Sequence, residues 1–240
     1  MFNFKKTVAT GSAALMLGLT LLHTNVSAFG GYTHYNICDR VVKNDFSELT
    51  EDEKTAYVSG ATIADIGWFN WDKKYALESD GQKFAGKMIE IASKSEDLKE
   101  KYFALGWSDH VIQDEKGSVG KIFGETIKDY KTRCSILDAY ITNNYDVDIS
   151  AENLFIPKDL IRKTYAELVD FSPTDEELEN EINSIIFAFT MGQMFLAQGE
   201  LTKEQTAIAE AQLDELTKLC GINNLSYKTA FGLTKNLENN

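Results

Sequence analysis

Apolar positions along this chain recur at intervals of three and four rather than two, the spacing that lines one face of an α-helix. Ile37, Val41 and Val42 follow it in a first helix. Thr50 with Glu53 forms a capping box, in which each side chain bonds the other's backbone N–H. It predicts a second helix that runs through Tyr57 and Val58 and stops near Gly60. The same periodicity predicts helices over 82–93, 98–114, 122–143, 157–169, 174–198 and 202–219. Pro157 suits a first helical turn, Thr202 with Gln205 makes another capping box, and Gly221 reads as a stop. Residues 65–81 mix Trp68, Phe69 and Trp71 with charges in no clear period, which predicts an ordered loop of a length that usually serves function. No internal repeat or low-complexity tract appears, and only 2 prolines leave little room for a turn-rich β architecture. The pattern predicts a single-domain, all-α multi-helix bundle, with residues 29–145 carrying the motifs and 146–240 forming a helical C-terminal part.

The first 28 residues break this pattern. Lys5-Lys6, an apolar run over 13–22 and the small residues Val26-Ser27-Ala28 together read as a cleavable export signal, so the mature chain is expected to begin at Phe29 and to be secreted or surface-associated. The apolar run at 182–197 contains Asn183, Ser184, Thr190 and Gln193 and is too short to span a bilayer, so it reads as a buried helix. Hydrophobic residues at 43% and charged residues at 25% are ordinary globular values. The net charge of −13, which becomes −15 once Lys5 and Lys6 leave with the signal, argues against nucleic acid or an anionic membrane as partner. Three cysteines, Cys38, Cys134 and Cys220, are too few for a disulfide framework, although a Cys38–Cys134 bridge is open to them.

His34 and His110 are the only imidazoles beyond the leader. His110 and Asp114, four apart on a predicted helix, place imidazole and carboxylate on one face about a turn apart, where both can reach one metal ion. His34 with Cys38 and Cys134 with Asp138 share that spacing, and all four offer donors that zinc accepts. Such pairs more often cap or salt-bridge a helix than bind metal. The surroundings shift the balance: 103–114 is an apolar helix that turns its histidine and Asp114 to one side, and Asp65 is an acid in an apolar stretch, where it needs a positive partner. The acidic run 175–181 is most simply a solvated helix face. Trp68 and Trp71 either pack into the fold, the commoner role, or line a substrate mouth or lipid interface.

Three segments in order carry a resemblance to a known family. Phe29-Gly-Gly-Tyr-Thr-His34, Gly60-Ala-Thr-Ile-Ala-Asp65-Ile66 and Ala104-Leu-Gly-Trp-Ser-Asp-His110-Val-Ile-Gln-Asp114 resemble the motifs of the zinc-dependent phospholipase C and D-like superfamily, which includes zinc-dependent single-strand nucleases. The resemblance implies a helical bundle that uses metal-activated water to attack a phosphodiester. It implies that Asp65, His110 and Asp114 hold one zinc, and that the Phe29 amine, His34 and Asp114 hold a neighbouring one, with Asp65 also the candidate catalytic carboxylate. Cys134 and Asp138 stand where the family has a late histidine–acid pair. Residues 66–109 lack a further histidine that the family carries, as do the positions just after Asp114, where Ser118 and Gly120 stand; Glu78, Asp80 or Glu115 are the available substitutes. The expected function is a secreted phospholipase C-like hydrolase carrying one to three zinc ions. Its expected substrate is a zwitterionic phospholipid headgroup, bound with the help of Trp68 and Trp71, with peripheral membrane contact and no nucleic acid. The competing expectation is a catalytically degenerate member that keeps the bundle as a metal-binding or interaction module.

Overall fold

The computed structural model describes residues 30–46, 48–72, 74–76, 81–117, 130–145, 149, 151–196 and 200–231. Among these residues there is no strand, and the order is α1 (Gly31–Asp45), α2 (Glu51–Ile63), α3 (Gln82–Ser93), α4 (Leu98–Gly117), α5 (Tyr130–Asn144), a 3-10 turn (Ala151–Asn153), α6 (Lys158–Val169), α7 (Asp175–Leu196) and α8 (Lys203–Ala230). The chain is an all-α multi-helix bundle, as its periodicity implies. Phe29, Glu78, Asp80, Ser118, Gly120 and the export signal lie outside the described residues.

Helix starts follow the capping chemistry. Thr50 Oγ1 accepts from Glu53 N while Glu53 Oε2 accepts from Thr50 N, and Thr202 with Gln205 makes the corresponding pair. Thr174 and Glu177 form a third reciprocal pair at the start of α7.

Helix ends are different, because two glycines that read as stops lie inside helices. α2 continues past Gly60 to Ile63, and α8 continues past Gly221 to Ala230. Each glycine instead permits a close approach. A Cβ at Gly60 would overlap the Phe103 carbonyl oxygen, and one at Gly106 would overlap the Tyr57 carbonyl oxygen, so α2 and α4 cross backbone against backbone at these two glycines. A Cβ at Gly221 would press on the Asp45 carboxylate at the end of α1.

The α2–α4 crossing is the centre of the fold. α1 lies on α2, α3 lies on α4 and α6, and α8 packs on α4, α1 and α5. Trp107, Tyr57, Phe46, Phe84, Phe103 and Tyr165 are fully buried around it. Among the described residues no helix is long and apolar enough to cross a membrane.

The segment after α2 is ordered by an acid that the sequence reading placed in solvent. Glu181 on α7 is fully buried; its Oε1 accepts from the backbone N–H groups of Phe69 (3.1 Å) and Asn70 (2.8 Å), and its Oε2 from Asn70 Nδ2 (3.0 Å). Of the acids in the run 175–181, Asp175, Glu176, Glu177 and Glu179 are therefore solvated and Glu181 is not. A carboxylate that collects three N–H donors satisfies the turn's orphan amides and its own charge together.

Candidate metal centre

Three segments bring four side chains to one buried point. α1 supplies His34, α4 supplies His110 and Asp114, and the turn after α2 supplies Asp65. Asp114 Oδ1 lies 3.3 Å from His34 Nε2, and its Oδ2 lies 3.4 Å from His110 Nε2. Asp65 Oδ1 stands 3.5 Å from the same His110 nitrogen. The imidazole rings stack with centroids 3.8 Å apart, and one donor atom from each of His34, His110 and Asp114 falls within 4.8 Å of the others. One carboxylate thus spans two imidazoles.

The other ring nitrogens show how this orientation is held. His110 Nδ1 lies 2.8 Å from the carbonyl oxygen of Ala61, in the last turn of α2 where carbonyls lack a partner within the helix. The close approach of Gly106 to Tyr57 and Ala61 brings that carbonyl within reach. His34 Nδ1 lies 2.8 Å from Gln113 Oε1. Both partner oxygens accept, so each Nδ1 carries a hydrogen and each ring turns its Nε2 towards the carboxylate. Imidazole donors with the second nitrogen bonded to a carbonyl or amide oxygen, beside carboxylates, form a set that zinc accepts. The residues present fit the ion that the resemblance implies.

Without an ion the same groups are an imidazolium–carboxylate cluster. Burial disfavours the charged form of His110, but the carboxylates of Asp65 and Asp114 outweigh it and hold the ring well above its ordinary value. Burial would likewise raise Asp114, yet His34 and His110 hold its carboxyl below the usual range. Side-chain exposure is zero for both imidazoles, 10% for Asp114 and 15% for Asp65, so the cluster is approached from its carboxylate side.

Other expected site residues are placed elsewhere. Asp138 on α5 accepts from Gly30 N at 3.0 and 3.1 Å and from the Thr33 hydroxyl, so it caps the start of α1 and stands outside the group of donors within 4.8 Å. Burial, opposed by those donors, pushes its carboxyl up to about 6. Cys134, buried one turn earlier on α5, is also outside that group. All three cysteines are free thiols, so the Cys38–Cys134 bridge is not formed; Cys38 instead accepts from Gln113 Nε2 at 3.4 Å. Trp71 packs edge-on against Tyr165 (5.3 Å) and Phe171 (5.1 Å) as part of an aromatic box, and Trp68 is half-buried in the turn after α2.

A second polar group, missed by the sequence reading, lies directly behind the cluster. Asp109, fully buried, accepts from the Tyr57 hydroxyl, Asn223 Nδ2 (2.8 Å) and Asn224 Nδ2 (2.7 Å) and ties α2, α4 and α8 together. Burial raises its carboxyl to about 7 in spite of those donors. The folded state therefore holds a proton that the unfolded chain releases near pH 3.9. The contribution to stability is complete below that value and is lost as pH rises towards about 7. Asp109→Asn keeps the shape and removes the titration. It is expected to flatten the fall in urea midpoint between about pH 4 and 7; a slope as steep as that of the parent protein would show that another group causes it.

The chain is similar to two proteins of Archaeoglobus fulgidus, each described only as an uncharacterized protein. One is 25% identical over 199 residues, covering 73% of this chain and 56% of that protein. The other is 28% identical over 154 residues, covering 54% of this chain and 48% of that protein. The chain thus spans about half the length of these relatives. No family model and no solved structure matches it.

Proposed function

We propose that the chain is an exported zinc-dependent phosphodiesterase of the phospholipase C type, with His34, His110, Asp114 and Asp65 as its zinc-binding side chains. The observation that carries this reading is the convergence of those four residues from three segments, with both Nδ1 atoms engaged by oxygen acceptors. Zinc, when bound, supplies Lewis acidity that activates water and offsets charge on phosphoryl oxygens. His34 and His110 hold and orient the donor set, and Asp114 joins the two rings. Asp65, the most exposed of the four, is placed to take a proton from water entering on the carboxylate side. The Phe29 amine completes the proposal as a ligand generated by signal removal.

A zwitterionic phospholipid headgroup is the proposed substrate. A chain of net charge −13 repels a polyanion more than a headgroup whose phosphate is paired with a cation. Trp68 and Trp71 are retained as proposed headgroup neighbours only in part, since Trp71 is already committed to its aromatic box.

The test uses the protein beginning at Phe29, purified without chelator or histidine tag. Elemental analysis is expected to find at least one zinc per chain, and the protein is expected to turn over p-nitrophenylphosphorylcholine. His110→Ala should lower that turnover by at least about 100-fold; an unchanged rate would sink the assignment. One observation favours a second reading, a structural metal module: both imidazoles are wholly buried, as ligands of closed sites are. On that reading chelation lowers the melting temperature while no hydrolysis is detected before or after.

A further inference from the structure

Gln113 precedes Asp114 on α4 and is fully buried between α1 and α8. A buried primary amide has two faces, one that donates and one that accepts, and its function depends on which way it is turned. Here Oε1 faces His34 Nδ1 at 2.8 Å, while Nε2 donates to the sulfurs of Cys38 and Cys220 at 3.4 Å each. The Cys220 thiol in turn points at the Asp109 carbonyl oxygen at 4.0 Å, which leaves its sulfur lone pairs towards the amide. Burial pushes both thiols well above their ordinary range, so they stay neutral.

We infer that Gln113 is a positioning residue that fixes His34 as its Nδ1–H tautomer, and that the Cys38 and Cys220 sulfurs set the direction of its amide. A reversed amide would place N–H groups against His34 Nδ1. That nitrogen would then have to accept, the ring hydrogen would move to Nε2, and it would point at Asp114 where a lone pair is needed. His110 requires no such device because a backbone carbonyl, which cannot turn round, holds its Nδ1. The two core thiols therefore act on the cluster without touching it, through one amide. The consequence for zinc rests on the metal reading above, whereas the tautomer does not.

The closing experiment separates the two. Nitrogen NMR of the His34 ring in zinc-free protein is expected to show a hydrogen on Nδ1, donated to Gln113. An Nδ1 without a hydrogen overturns the inference whether or not the protein binds zinc. Cys38→Ala with Cys220→Ala removes both sulfur acceptors, and is expected to populate a ring without the Nδ1 hydrogen; an unchanged Nδ1–H overturns the role of the thiols. Gln113→Leu is expected to weaken zinc binding by roughly 10- to 100-fold, the usual cost of losing a partner behind a ligand. Gln113→Glu, which still accepts from Nδ1–H, should recover most of that loss. Equal affinities for the Leu variant and the parent overturn the positioning role. If the parent itself binds no zinc, the metal reading fails and the NMR result alone decides this one.

Discussion

Gly106→Ala is expected to lower the melting temperature of the zinc-free protein by roughly 5–10 °C, while the same substitution at Gly86 raises it by about 2–4 °C. Both glycines lie inside helices, where alanine is favoured by up to about 1 kcal/mol because it restricts the unfolded chain. At Gly86 on α3 nothing lies within 4 Å of an added Cβ, so only that gain remains. At Gly106 the Cβ would overlap the Tyr57 carbonyl oxygen and approach Ala61 N, both backbone atoms that cannot swing aside. α4 must then move off α2, and overpacking of this kind costs about 1–3 kcal/mol or more. The displacement also lengthens the His110 Nδ1 contact to the Ala61 carbonyl, so zinc affinity should fall with stability. Two melts and one zinc titration check the argument; equal shifts for the two variants would remove the crossing from its central place.

The second large effect is at Asp114. Asp114→Ala is expected to weaken zinc binding by at least about 100-fold, since a zinc-binding free energy of about 10–16 kcal/mol spread over four ligands assigns each roughly 3 kcal/mol. The loss should exceed that of His34→Ala or His110→Ala, because Asp114 alone faces both rings. Zinc-free stability is a separate question, since removing a buried carboxylate also removes its desolvation cost. The clean readout is the rise in melting temperature on adding zinc, which should vanish in the variant. For the parent, affinity should grow as pH rises, because an ion must displace the proton that Asp65 and Asp114 help to hold on His110. A zinc-induced rise that survives Asp114→Ala would place the ion elsewhere.

The residues of the cluster were legible because their information is local. His110 and Asp114 are one turn apart, Asp65 is an acid in an apolar run, and His34 sits near the start of a helix. What holds them was not legible, because it is long-range: Gln113 meets His34 across 79 positions and Cys220 across 107, and nothing in the immediate sequence of any of the three announces it. Glu181 was hidden for a related reason. It ends an acidic stretch whose earlier members are mostly exposed, and only its amide partners, more than a hundred positions away, distinguish it. Helix starts were readable from side chains that make reciprocal bonds three residues apart. Helix ends at Gly60 and Gly221 were misread because a glycine that terminates a helix and one that admits a neighbouring backbone look alike until the neighbour is known. The role of Asp138 at the start of α1 was not legible, because a carboxylate that accepts from Gly30 N and the Thr33 hydroxyl has the same spacing signature as a ligand.

The separation of the donors along the chain also sets an order of events. In the unfolded polypeptide only His110 and Asp114 lie within a turn of each other, and two weak donors cannot gather the rest around an ion. The cluster is complete only once α1 has docked and α2 has crossed α4, contacts that close long loops and form slowly. An ion bound by these residues would therefore be a late clasp on a finished bundle rather than a seed for folding. With both imidazoles sealed from solvent, its escape would be paced by the rate at which α1 lifts from α4 rather than by ligand exchange in place.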